Sequence, residues 1–207
     1  MMQTKLELFA EEHSNINTET AELVQFQMAQ VDRLTALVRT LLEMSNLQSV
    51  SRSDEIELAP LIDEILTDLT TLAEQKNITF HQNCEDICMI GSDTLIYRLL
   101  FNLIENAIKY NHAGGSVTVS MQQENHQVLL HIADTGCGIP KEYKESIFQP
   151  FFRVDKSRSR QMGGVGLGLA LVREIAVLHG GSVCVESSSE EGTTFAVRLP
   201  LNGEKTE

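Results

Sequence analysis

From Thr20 to Ser49 the apolar residues Val24, Val31, Leu34, Val38 and Leu41 fall on the a and d positions of a heptad, with Met28, Leu37 and Leu42 widening the stripe. At a rise of ~1.5 Å per residue this run predicts a helix of about 45 Å. A seam on a helix that long is open to two uses, packing on the rest of the chain or bundling with a second copy, and the length favours the second copy. Met2 to Glu12, with Leu6, Leu8 and Phe9, reads as a short preceding helix, and His13-Ser-Asn-Ile-Asn as a polar turn. Together they suggest a helical hairpin with one shortened arm. Ser51-Arg-Ser-Asp breaks the pattern, so the expected boundary divides a helical segment, residues 1–52, from a second unit, residues 53–207.

In the second unit the period changes. Ile56 to Leu58 reads as a strand, Pro60 to about Lys76 as a helix with Pro at a favourable first position, and Ile78 to His81 as another strand. Ser92 or Asp93 can cap a helix that runs to Tyr110. Val117 to Gln122 and Val128 to Ile132 alternate apolar and polar residues, which predicts an antiparallel pair joined by a polar turn. A helix follows from about Gly166 to Leu178, and Val183 to Glu186 with Thr194 to Leu199 supply two closing strands. Helices combined with a mostly antiparallel sheet imply the α+β class, a two-layer α/β sandwich.

The chain has 207 residues and a formal net charge of −13. That balance disfavours a nucleic acid held through its phosphates. The four cysteines, Cys84, Cys88, Cys137 and Cys184, form neither CxxC pairs nor a dense framework, which predicts free thiols in a reducing compartment. No apolar run approaches the ~20 residues of a membrane-crossing helix, so a cytoplasmic setting is expected, with any membrane anchor of a longer protein lying upstream of Met1.

Four local patterns carry chemistry. On the helix to Tyr110, Asn102, Asn106 and Lys109 share one face opposite Leu99, Leu103 and Ala107. Two amide oxygens beside an ammonium suit a hydrated Mg²⁺ and the phosphates it bridges, although a solvated helix face has the same composition. Asp134-Thr-Gly-Cys-Gly-Ile-Pro follows a strand, which places the Asp134 carboxylate where it can accept from an exocyclic amine; Gly136 and Gly138 would admit a flat ring, or simply make a tight turn. From Phe148 to Met162, three aromatics stand beside Arg153, Lys156, Arg158 and Arg160, a local positive cluster that could cover phosphate charge or remain a solvated loop. Gly163-Gly-Val-Gly-Leu-Gly-Leu-Ala runs into an apolar-periodic helix whose free N–H groups can meet phosphates. It is neither a GxxxxGK[ST] nor a GxGxxG motif.

Taken in order, Asn102-Leu-Ile-Glu-Asn106-Ala-Ile-Lys109-Tyr110, Asp134-Thr-Gly-Cys-Gly138, Phe148-Gln-Pro-Phe-Phe-Arg153 and Gly164-Val-Gly-Leu-Gly168 resemble the N, G1, F and G2 boxes of sensor histidine kinases. His179-Gly-Gly and Gly192-Thr-Thr-Phe through Pro200 resemble the family's closing strands. The resemblance spans about Ile56 to Pro200 and implies an ATP-binding sandwich of the Bergerat type. It implies that Asp134, with Gly136, Gly138 and Ile139 around it and Thr193 acting through water, binds the adenine. Asn106 assisted by Asn102 would hold Mg²⁺, and Lys109 with Tyr110 would face phosphate or ribose. Arg153 and Arg158 would belong to the ATP lid, and the backbone of Gly164, Val165, Gly166, Leu167 and Gly168 would cradle the phosphates. Lys109, Arg153, Arg158 and Asn102 are then the expected catalytic set. Val165 stands where the family often has Thr, a change that a backbone contact tolerates.

The helical segment resembles the second arm of the family's dimerisation and phosphotransfer hairpin. The family's histidine box, a His followed by an acidic residue and a Pro-Leu pair, does not occur in the sequence; His13 sits in a polar turn and the other five histidines fall in the second unit. The expected activity is therefore transfer of the ATP γ-phosphoryl group to a histidine outside this chain, the missing box reading as a truncation within the first arm. The implied partners are that hairpin, a response regulator and a second copy through the 20–49 helix. An ATPase of the gyrase or heat-shock chaperone kind is the alternative, but those enzymes are expected to carry Glu at the place of Asn102, and an amide cannot take a proton from water. A nucleotide-gated pseudokinase or an anti-sigma type serine kinase is a further alternative, against which the long heptad helix argues.

Overall fold

A computed structural model describes residues 18–154 and 166–201. Helix α1 (Thr18–Asn46) is continuous and ends in a single 3₁₀ turn, Leu47–Ser49. The later part of its apolar stripe faces outward, whereas Met28 and Val31 are half-buried. Leu34 is 60% exposed and Val38 55%, with Leu23, Phe26, Leu41 and Leu42 similarly open, while Val24 and Leu47 are buried. The short arm read between Met2 and Glu12, and His13, lie outside the described residues.

The second unit opens with β1 (Asp54–Glu57), which runs directly into α2 (Leu58–Asp68). The strand read at Ile56 to Leu58 is thus shifted: Leu58 is fully buried as the first residue of the helix, and Pro60 stands two residues further in. The single helix expected to Lys76 is split at Leu69, after which α3 (Thr70–Glu74) follows. Beyond lie β2 (Thr79–Cys84), β3 (Cys88–Gly91), α4 (Asp93–Lys109), β4 (Ser116–Glu124) and β5 (Gln127–Asp134). After two 3₁₀ turns come α5 (Gly168–Leu178), β6 (Ser182–Ser189) and β7 (Gly192–Pro200).

Five strands form one sheet in the order β2-β4-β5-β7-β6, parallel only between β2 and β4. The expected hairpin is β4–β5, closed by Asn125 and His126 at φ of 48° and 61°, the left-handed pair of a two-residue turn whose twist matches the strands. Alternation sorts the faces. Val117, Val119 and Met121 of β4, Val128, Leu130 and Ile132 of β5, and Phe195, Val197 and Leu199 of β7 are all buried on one side, against α2, α4 and α5. Two layers result, helices on one face of the sheet, as the pattern implied. At ~25 cal/mol per Å², each fully buried Leu or Ile in this layer contributes about 2 kcal/mol.

Strand β3 was not foreseen. It pairs antiparallel with β1, and its Ile90 N–H also donates to the carbonyl of Leu201 at 2.8 Å. Behind it, His179 at the C-terminal end of α5 is buried; its Nδ1 lies 2.8 Å from the Ile175 carbonyl and its Nε2 accepts the Ser92 N–H at 3.0 Å. Ser92 precedes α4 as expected, yet its hydroxyl makes no capping bond, and it is His179 that satisfies the local backbone. One ring thus ties the end of α5 to the start of α4. All four cysteines are free thiols. Among the described residues no helix is long and apolar enough to cross a membrane.

Candidate functional site

The buried face of the sheet ends in polar residues. Asp134 follows Leu130 and Ile132 at period two and pairs across the ladder with Thr193, so both side chains belong to the helix-facing side. Asp134 is half-buried, and burial raises its carboxyl above the usual carboxylate range, opposed by backbone hydrogen bonds from Gly136 and Thr193 and by nearby His112. The Gly136 N–H reaches Asp134 Oδ1 at 2.8 Å. Thr193 Oγ1 lies 3.0 Å from Ser188 Oγ, which in turn accepts the Ile139 N–H at 2.7 Å. Asp134, Ser188 and Thr193 border a shallow cleft of about 330 Å³, completed by Ser187, Ser189, Glu191, Gly192 and Thr194.

The two loop glycines are required by close approaches to the chain itself. A Cβ on Gly136 would stand 2.4 Å from the Tyr110 carbonyl oxygen, and one on Gly138, at φ +69°, would stand 1.8 Å from that of Ser189. Their absence of side chains lets the Asp134 loop sit between the end of α4 and the β6–β7 turn. Cys137 N–H donates to the Tyr110 carbonyl at 3.2 Å, fastening the loop to that helix end.

Helix α4 buries Leu99, Leu103 and Ala107 and turns Asn102, Asn106 and Lys109 away from them, each half-buried. Asn102 Nδ2 donates to the Arg98 carbonyl at 2.7 Å, which leaves Oδ1 directed at the start of α5: a Cβ on Gly168 would lie 2.7 Å from it. Gly168 is the first residue of α5, so the amide oxygen stands at the positive end of that helix. The helix expected from about Gly166 begins two residues later, with Gly166 outside it at φ +79° and Leu167 buried. Lys109 Nζ pairs with Glu105 Oε1 at 2.8 Å. Tyr110, expected inside the helix, lies just past its end and is exposed; partial burial raises its hydroxyl, an effect that Arg153 opposes, so the guanidinium is near.

Of the aromatic segment, Phe148 is buried edge-on against Phe195 of β7 at 6.3 Å, and Phe152 lies 5.5 Å from Tyr143. Phe151 is exposed with φ +65°, a left-handed backbone that a bulky residue rarely adopts, and its N–H donates to Gly166 at 2.8 Å. Phe148 and Phe152 thus anchor the base of the segment. Arg158, Gly164 and Val165, like Lys156 and Arg160, lie outside the described residues.

The structure therefore gathers Asp134, Gly136, Gly138, Ile139 and Thr193 at one end, Asn102 with Gly168 at the other, and the run from Asn106 to Tyr110 between them. Several residues went unread. Asn111 and Thr135 link the end of α4 to β4 and β5, Ser188 supports Thr193, and Lys76 Nζ donates to the carbonyls of Ile108 and Lys109. Lys76 neutralises the negative end of α4, and desolvation lowers its pKa. A polar residue just past a helix end was the available signal for Asn111; nothing local marks Lys76 or Ser188.

Comparison with known proteins identifies the family. Residues 91–203 match the family described as histidine kinase-, DNA gyrase B-, and HSP90-like ATPase. The chain is 35% identical over 175 residues to the sensor histidine kinase RppB of Synechocystis sp., covering 82% of this chain and 38% of that protein. It spans about two-fifths of this relative's length. The catalytic domain of the histidine kinase ThkA superposes with a TM-score of 0.66 at 30% identity, covering 75% of this chain and 99% of the other. ThkA in complex with the response regulator protein TrrA gives a TM-score of 0.73 at 26% identity, covering 98% of this chain and 58% of that one. The chain thus belongs to the histidine kinase-, DNA gyrase B- and HSP90-like ATPase family, and carries the ATP-binding catalytic domain of a two-component sensor histidine kinase.

Proposed function

We propose that this domain binds Mg·ATP along α4 and transfers the γ-phosphoryl group to a histidine on a phosphotransfer hairpin of the full-length protein. The observation that carries the reading is that one helix joins both halves of the site: its end is fastened to the Asp134 loop, while Asn102 meets the first residue of α5. Asp134 accepts a hydrogen bond from the adenine amine, with Thr193 contributing through water. Asn106 and Asn102 offer amide oxygens to Mg²⁺. Among the described residues no cluster of three or more His, Cys, Asp or Glu forms a dedicated metal cage, which suits an ion that keeps waters and phosphate ligands. Bound there, Mg²⁺ would neutralise negative charge on the phosphates. Lys109 and Tyr110 face phosphate or ribose, Arg153 and Arg158 add positive charge from the lid, and the backbone from Gly164 to Gly168 receives the phosphates at the positive end of α5. Within this domain catalysis then rests on positioning and charge; the nucleophile is the imidazole nitrogen of the acceptor histidine, and ADP is the leaving group.

The outward stripe of α1 supports a bundle with a second copy, and the complex of ThkA with TrrA supports a response regulator as the phosphate's destination. A membrane anchor elsewhere in the full-length protein fits a sensor role. The test is to incubate the chain with γ-labelled ATP and a separate hairpin that contains the histidine box. Label on that histidine is expected, and Asp134→Asn should abolish it; tight ATP binding without transfer in any arrangement would sink the proposal.

A further inference from the structure

Next to the nucleotide residues lies a polar cluster to which the site as described gives no role. Asn111, one residue past Tyr110, is 7% exposed. Its Nδ2 donates to the Ser116 carbonyl at 2.9 Å, and its Oδ1 accepts both the His112 N–H at 2.9 Å and the Thr135 hydroxyl at 3.2 Å. Thr135 Oγ1 in turn accepts the Ser116 N–H at 2.8 Å. Thus one amide and one hydroxyl satisfy both backbone groups of Ser116, the first residue of β4, and join them to the residue after Asp134. The packing leaves no slack. A Cβ on Gly115 would fall 2.3 Å from Asn111 Oδ1 and 2.6 Å from Thr135 Oγ1, and one on Gly136 would lie 3.0 Å from Asn111 Cα.

We infer that Asn111 and Thr135 form a clasp that sets the spacing between the two ends of the nucleotide site. On one side of the clasp α4 carries Asn106 and Lys109, the groups assigned to metal and phosphate; on the other, β5 carries Asp134, assigned to adenine. Neither Asn111 nor Thr135 is among the residues assigned to the nucleotide. Both act as positioning residues by fixing how far the carboxylate stands from the helix. Removing the amide takes away one of the donors to the Ser116 carbonyl, which keeps the Thr135 N–H at 3.2 Å, and it costs the His112 N–H its acceptor and the Thr135 hydroxyl the nearer of its two acceptors. The inference rests on the ATP reading above and adds to it a length-measuring element.

A ruler of this kind has a signature that a purely structural role lacks. Ligands that engage both ends feel the loss, and ligands that engage one end do not. Mg·ADP spans the site, whereas adenosine reaches only the Asp134 end. The experiment measures both by NMR titration of the full chain for the native sequence, Asn111→Ala, Thr135→Val and Thr135→Ser, with thermal melts alongside to confirm folding. Expected are a roughly tenfold weaker Mg·ADP affinity for Asn111→Ala and Thr135→Val, the size of about one lost buried hydrogen bond, an adenosine affinity within about twofold, and near-native behaviour for Thr135→Ser, which keeps the hydroxyl. The double variant should be no worse than either single one, since both break the same clasp. Equal loss for Mg·ADP and adenosine, or no loss for either, overturns the clasp while leaving the ATP reading intact. Failure of the native chain to bind Mg·ADP overturns both.

Discussion

Helices α1 and α4 are written in nearly the same code, an apolar stripe opposed by polar residues, yet they end in opposite situations. In α4 the stripe is spent inside the molecule: Leu95, Ile96, Leu99, Leu100, Leu103, Ile104, Ala107 and Ile108 are all buried. In α1, Leu23, Phe26, Leu34, Val38, Leu41 and Leu42 stand in solvent. The comparison shows that periodicity reports which face wants a partner without saying whose. A helix of 17 residues is covered by a five-stranded sheet; one of 29 residues outruns the domain it precedes. The polar faces differ as well, that of α4 converging on Asp134 and Gly168.

The sharpest way to break the comparison is truncation of each stripe. Leu103→Ala should destabilise the second unit by about 2–5 kcal/mol, a cavity cost in a site with no exposure, whereas Leu34→Ala should change its unfolding by less than ~0.5 kcal/mol. Chemical denaturation reads both. Next in size, Asp134→Asn should weaken ATP binding by roughly 100-fold, the scale of a lost charge-assisted hydrogen bond, with the melting transition retained; calorimetric titration checks it. Replacing Leu34 and Val38 together by Glu should shift sedimentation from dimer to monomer and leave nucleotide affinity within about twofold.

A smaller effect separates the two helix ends by pH. Burial holds His179 below the ordinary imidazole value of 6.5, so the unfolded chain takes up its proton first as pH falls. The Ser92–His179 tie therefore contributes fully above about pH 6.5 and is lost as pH drops through the folded value. Asp134 acts with the opposite sign: its raised carboxyl favours the fold below about pH 4, and that contribution fades as pH rises through its folded value. Denaturation of the native chain and of His179→Gln between pH 5 and 8 should show a shallower slope in the variant.

The elements that were legible in the sequence are those with strong periods and firm punctuation. The β4–β5 hairpin declared itself by alternation on either side of Asn125 and His126, and α4 by its buried stripe. Strand β3 was hidden because Cys88 to Gly91 is four residues long and takes its partners from β1 and from the Leu201 carbonyl, both remote in sequence. The break at Leu69 has no local signal, since Leu72 and Ala73 continue the apolar period of Ile65 and Leu69 without Gly or Pro. Motif order placed Asp134, Thr193, Asn102 and Gly168, whereas Asn111 and Lys76 act on backbone groups brought close only by folding.

The central claim is that the polar face of α4 and the Asp134 loop form one nucleotide site while α1 serves a different surface. Titrating isotope-labelled chain with Mg·ADP and following backbone amide resonances tests it directly. The account predicts that the largest shifts fall on Asn106, Tyr110, Asp134, Gly136, Thr193 and Gly168, with residues 23–42 of α1 unmoved at constant oligomeric state. Saturable shifts confined to α1 or to the outer face of the sheet, with those six amides silent, would contradict it.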